Sequence, residues 1–139
     1  MLTLKQAQTI VEATLKKGRE KNMKPLTVAV LDARGCLIAY AMEEGGLLRE
    51  VIAKGKAYGA IGLGRSSRGI EQLAKDRPHF MNAILEASGG RVIPVPGGVL
   101  IKEGPAIVGA VGVSGDTSDN DEIAGVAGIE AAGYTAGID

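Results

Sequence analysis

The sequence predicts an α+β fold in three layers, a central antiparallel sheet with helices on both faces. Three observations predict it. β-type runs come in two adjacent pairs, 26–31 with 36–42 and 99–102 with 106–114, each joined by a short turn containing glycine. Helical periodicity fills the stretches before, between and after the pairs, giving the order α-β-β-α-α-β-β-α; hairpins separated by helices argue against a parallel, doubly wound sheet. Finally, residues 106–114 are apolar or glycine on both alternating faces, and a strand of that kind is covered on both.

Taken in order, Thr3-Leu4-Lys5-Gln6 matches a capping box, in which hydroxyl and amide satisfy orphan N–H groups at a helix start. Leu4, Ala7, Val11 and Leu15 then share one face beside Ile10, and Pro25 bars continuation. Asp32-Ala33-Arg34-Gly35 is the turn of the first hairpin. A helix follows over 47–63, in which Gly55 and Gly59, four apart, predict close packing onto the sheet or a neighbouring subunit. Two further helical pieces split near Pro78 and end at Gly89-Gly90. Pro94-Val95-Pro96-Gly97-Gly98 is a sharply turning loop. In the long strand, alternation places Ile107, Val111 and Val113 on one side and Val108 and Ala110 on the other. Asp119-Asn120-Asp121-Glu122 opens the last helix, with Asp119 as N-cap and Glu122 three residues on.

At 139 residues, with 45% hydrophobic and 23% charged residues, the chain is one domain's worth of material. Its 21 glycines and 3% aromatics point to close backbone packing rather than a core of rings. The 16 basic and 16 acidic residues cancel, and the basic run Arg65, Arg68, Lys75, Arg77 is interrupted by Glu71 and Asp76, so no nucleic-acid partner is expected. A single cysteine forms no internal disulfide, and neither a signal-like start nor an apolar run of membrane-spanning length occurs. The expectation is a cytoplasmic domain with no membrane partner.

Val28-Ala29-Val30-Leu31-Asp32, Gly35, Leu37 and Ile52-Ala53-Lys54-Gly55-Lys56-Ala57 resemble the first half of the GlcG/HbpS family. Pro96-Gly97-Gly98, the run 108–115 and Asp121-Glu122 resemble its second half, so the likeness spans essentially the whole chain. The resemblance implies a profilin-like fold, homo-oligomers, and functions that include haem binding, haem degradation and roles beside glycolate or diol catabolism. It also implies a helix-1 histidine where haem is held by imidazole, as in the C-terminal domain of some corrinoid adenosyltransferases. Residues 3–21 contain none, and the only histidine is His79.

Among candidate residues, His79 is the imidazole able to ligate haem iron or act as a base, or else a solvent-facing residue of a helix's first turn. Cys36 is either a thiolate activated by Arg34 or a small edge or core residue, and Met42 is expected in the core. Asp116, Asp119, Asp121 and Glu122 lack the order of a calcium loop, so helix capping is the expected use, and no metal site is assigned. Arg49 and Lys56, seven apart on one helix, point the same way, suited to a carboxylate or to haem propionates unless they form a solvated face. Gly97, Gly98 and Ser114 are expected to line the same ligand pocket. Two functions follow. The first is binding of haem or a related anionic cofactor, with or without its oxidative degradation; the other is a small lyase or isomerase acting on a carboxylate at a subunit-interface pocket.

Overall fold

The computed structural model describes residues 1–139. Its elements are α1 (Leu4–Glu20), β1 (Thr27–Asp32), β2 (Leu37–Met42), α2 (Leu48–Leu63), α3 (Ser67–Asp76), α4 (Pro78–Ala87), β3 (Gly98–Glu103), β4 (Ala106–Ser114), α5 (Ser118–Ala131) and β5 (Thr135–Gly137). The strands form one sheet in the order β2-β1-β4-β3-β5, every pair antiparallel. The expected order is therefore present with one addition, β5. This strand has three residues, too few for an alternation to register, and exists because it pairs with Leu100, Ile101 and Lys102.

The capping box at the start of α1 is formed: Gln6 N donates to Thr3 Oγ1 at 3.2 Å and Thr3 N to Gln6 Oε1 at 2.9 Å. That helix and α5 cover one face of the sheet, packing on Val28, Val30, Val99, Ile101, Val111 and Val113. Burying side chains of this size contributes about 1.5–3 kcal/mol each, which makes this layer the main source of stability. On the other face α2 packs Ala57 and Ala60 against Leu31, Leu100 and Ala110. Small residues face each other here. A Cβ on Gly112 would run into the Ala53 carbonyl oxygen, so the helix backbone lies almost on the strand.

Three expectations are corrected. Ile101 pairs with Gly109 but Lys102 with Ile107, a bulge that leaves Val108 as the extra residue. Strict alternation fails there: Ile107 packs with the α2 layer and Val108 with the α1/α5 layer, the reverse of their expected sides. Within the chain Gly55 and Gly59 do not meet the sheet. Gly55 admits Ile93 and the Arg91 carbonyl, and Gly59 admits Val92 and Ile70, so both glycines seat the segment after α4. Met42 is 41% exposed because β2 is an outer strand of the chain's sheet. No helix is long and apolar enough to cross a membrane.

Candidate functional site

Five sequence-predicted residues converge at one end of the sheet. The sheet-facing side of α2 consists of alanines except at Lys56, whose side chain is 2% exposed. Its Nζ donates to the Val113 carbonyl at 2.8 Å and to Asp121 Oδ2 at 3.1 Å. Gly97, at φ 122°, passes so close that a Cβ there would lie 2.7 Å from Lys56 Nζ. Gly98 lies against the backbone of α2 and donates its N–H to Ser67 Oγ at 2.6 Å. Ser114, also buried, accepts from Arg49 Nη1 at 3.4 Å. Arg49, Lys56, Gly97, Gly98 and Ser114 are thus brought together, with Asp121 and Ser67 added to them.

The electrostatics of this cluster are those of a closed tie. Burial pushes the Lys56 pKa below the ordinary lysine value, Asp121 works against that shift, and nearby Arg49 adds to it. Asp121 is pushed above the usual carboxylate range by the same burial and held back by Lys56. With the carboxylate, a carbonyl and the Gly97 backbone packed around it, the ammonium is engaged from within the protein.

Asp121 was expected only as part of a helix start, and that start lies elsewhere. Thr117 is the N-cap, its Oγ1 accepting from Asn120 N at 3.2 Å. The cap lies two residues before the expected Asp119, so Asp119 and Glu122 fall within the helix, where both bind Arg68, Glu122 Oε2 accepting from Arg68 Nε at 3.0 Å. Asp116 accepts from Lys24 N, Thr117 N and Asn120 Nδ2, and these bonds pull its pKa down to about 2. A lysine on the alanine face of α2 signals that a counter-ion must exist; nothing in one sequence says which carboxylate it is.

A cleft of about 400 Å³ opens on the opposite flank of α2. Leu31, Leu37, Val51 and Tyr58 supply its apolar and aromatic wall, and Lys54 and Arg91 its cations. The Arg91 guanidinium lies 4.4 Å from the centre of the Tyr58 ring. Lys54 is bonded to Glu50 at 2.7 Å and stands 5.8 Å from the Tyr40 ring centre. The cleft depends on Gly55, which lets the Arg91 segment approach α2, and on Gly89 and Gly90 at φ 68° and 77°, which turn the chain toward it. Its signal in the sequence was the Gly89-Gly90 break, legible only as a helix stop.

The remaining candidates stand apart. His79 is exposed on the first turn of α4, borders neither the cleft nor the Lys56 cluster, and belongs to a helix that packs chiefly on α3. Cys36 is exposed before β2, and Arg34 is engaged elsewhere, Nη2 donating to Asp32 Oδ2 at 2.7 Å. That bond also holds the Asp32 carboxyl below the usual carboxylate range.

No curated protein matches the chain. Three solved structures superpose over nearly all of it. PduOC in a complex with haem gives a TM-score of 0.86 at 18% identity, covering 96% of each chain. Klebsiella pneumoniae protein ORFY gives 0.86 at 25% identity, over 95% of this chain and 90% of that one. HbpS gives 0.80 at 22% identity, over 93% and 88%. The model of the family described as haem degrading protein HbpS-like matches residues 2–130, and the chain belongs to that HbpS-like family.

Proposed function

We propose that this chain binds haem or a related flat, anionic cofactor in the cleft beside α2, as part of a homo-oligomer. The observation that carries the reading is the cleft itself, an apolar and aromatic wall that ends in two cations. Leu31, Leu37 and Val51 suit the face of a macrocycle, while Arg91 suits its carboxylates, with Lys54 joining it on exchanging its exposed Glu50 partner for the ligand. A cleft of this size lies in the range that small ligands and cofactors occupy. Family membership and the haem complex of PduOC support the same ligand class.

The residues present fit the organic part of haem, and among the lining residues Tyr58 carries a side chain of a type that haem proteins use as iron ligand. Bound haem would supply a redox-active iron, the requirement for oxidative degradation. The chain's own part is to bind, orient and shield it. His79 remains the imidazole candidate, and its place outside the cleft makes the two ligands separable by experiment.

The test is a haem titration followed by absorbance, on the wild type and on Tyr58→Phe, Arg91→Ala and His79→Ala. A saturable Soret band is expected, shifted in Tyr58→Phe, weakened about tenfold in affinity in Arg91→Ala, and unchanged in His79→Ala. A featureless wild-type titration overturns the proposal; a band altered only in His79→Ala moves the ligand to α4.

A second reading, a lyase or isomerase acting on a small carboxylate, is favoured by one observation. Arg49 forms no ion pair and offers its guanidinium beside Ser114. Turnover of a carboxylate lost in Arg49→Ala, with haem titration featureless, would favour it over the first.

A further inference from the structure

We propose that β2 pairs with β2 of a second copy of this chain across a two-fold axis, and that the partner completes the mouth of the cleft. The second half rests on the cofactor reading above; the first does not.

Strand β2 is an outer strand of the sheet, so one row of its backbone N–H and C=O groups has no partner strand. Exposed edges of this kind are normally blunted by charge, proline or a bulge turned outward. Residues 36–42, Cys-Leu-Ile-Ala-Tyr-Ala-Met, hold no charge, proline or glycine. The irregularity that β2 does have is one extra residue, Ile38, between its pairings with Val30 and Leu31, and it leaves the run from Ala39 to Met42 regular.

The side chains beside this edge are apolar as well. Leu37, Tyr40 and Met42 are 44%, 37% and 41% exposed, and Leu47, Leu48 and Val51 of α2 and its start are 91%, 64% and 56% exposed. These six are among the ten exposed large apolar residues of the chain, and with the strand backbone and flanking charges they gather in one place the kind of surface that an interface of standard size, about 800 Å² per partner, draws on. Glu50 and Lys54 border the patch with opposite signs, so a two-fold operation can set each against its complement. An open strand edge also fits a strand better than any other occupant, and the copy of β2 has the same length and the same absence of charge.

Centring the axis on Tyr40 sets Tyr40 opposite its own copy and Ala39 opposite the partner's Ala41, each pair on one face of the sheet, and across the bulge at Ile38 it brings Leu37 level with the partner's Met42. Leu37 also lines the cleft. The start of α2 lies at the Met42 end of the strand, because Arg49 reaches Ser114, which shares a register row with Thr27 and Met42. The two-fold therefore carries the partner's Leu47 toward Leu37 and Val51, where it extends the apolar wall.

The experiment measures mass by light scattering on the full chain without haem, for the wild type, Tyr40→Lys/Met42→Lys, Leu47→Lys, and Leu4→Lys as a control at an exposed apolar residue elsewhere. Circular dichroism checks each fold. The wild type should have an even multiple of the chain mass, the double variant half that value, and the control the wild-type value. Haem affinity should fall at least tenfold in Leu47→Lys, a helix-surface change tolerated even if the strand variant misfolds. A monomeric wild type, or unchanged mass in both folded interface variants, overturns the pairing. Halved mass with unchanged haem affinity upholds the pairing and overturns the completed cleft. Wild-type protein that assembles as stated but gives no Soret band refutes the cofactor reading and leaves the interface standing.

Discussion

Replacing Lys56 by Met removes the ammonium while keeping most of the stem that packs between α2 and the sheet. It leaves the Asp121 carboxylate, 3% exposed, without its cation, and the Val113 carbonyl without a donor. Breaking a buried ion pair from one side costs about 3–5 kcal/mol, since the survivor's desolvation is no longer offset. In a chain of this size about 1 kcal/mol moves Tm by roughly 4 °C, so a fall of about 12–20 °C is expected. Urea unfolding gives the free energy directly. Adding Asp121→Asn removes the stranded charge and keeps an oxygen to accept from Asp116 N, so the double variant should regain at least ~2 kcal/mol. The pH dependence is a second check. Burial holds Lys56 below the ordinary 10.5, so between its folded and unfolded values the unfolded chain carries the extra proton. Stability linked to this group is then complete above 10.5 and falls as pH drops through the folded value, a slope that Lys56→Met should lack. A single-variant cost under ~1 kcal/mol, or a coupling below ~0.5 kcal/mol in the double-mutant cycle, would show that the pair is not the tie described.

Two other perturbations probe the frame around this pair. Asp116 has its pKa lowered from 3.8 to about 2, so its contribution is present above 3.8 and lost as pH falls toward 2; Asp116→Asn should lower stability at neutral pH and flatten the acid limb of a pH–stability curve. Gly112→Ala drives a methyl into the Ala53 carbonyl and should cost at least the upper end of ~1–3 kcal/mol in chemical unfolding. Gly62→Ala, exposed in α2 with open space around the new Cβ, should instead stabilise by ~0.5–1 kcal/mol. Equal effects at the two glycines would mean that the α2–β4 contact is looser than its geometry.

The fold was legible because its signals are local. Thr3 and Gln6 cap a helix within one turn, and the doubly apolar run in β4 announces cover on both faces without reference to another segment. What escaped was non-local. The bulge at Val108 arises from the mismatch between two strands, so alternation along β4 alone places Ile107 and Val108 on the wrong sides. Gly55 and Gly59 could be read as close contacts, but their partner is a loop some 35 residues away that no periodicity marks. At the candidate site, spacing on one helix brought Arg49 and Lys56 together correctly. Asp121 was missed because its signal, a carboxylate in an acidic helix start, is the same one that capping produces. Arg91 and Tyr58 drew no notice because an isolated arginine and an isolated tyrosine carry no motif.

The adjacency of Gly55 and Lys56 has a mechanical meaning. Lys56 ties one side of α2 to β4 and α5, fixing both the rotation of the helix and its height along the sheet. Gly55, one residue earlier and so about 100° around the helix, opens the other side to the Arg91 segment. Val51, Lys54 and Tyr58 are presented to the cleft only in the setting that the tie enforces. A rotation of α2 by a fraction of a turn would bury Lys54 or withdraw Tyr58. On this argument Lys56 acts on ligand binding as a positioning residue with no ligand contact. Lys56→Met, assayed well below its lowered Tm, should therefore weaken ligand binding in the cleft without altering the absorbance of what is bound, whereas a direct ligand contact at Lys56 would change both.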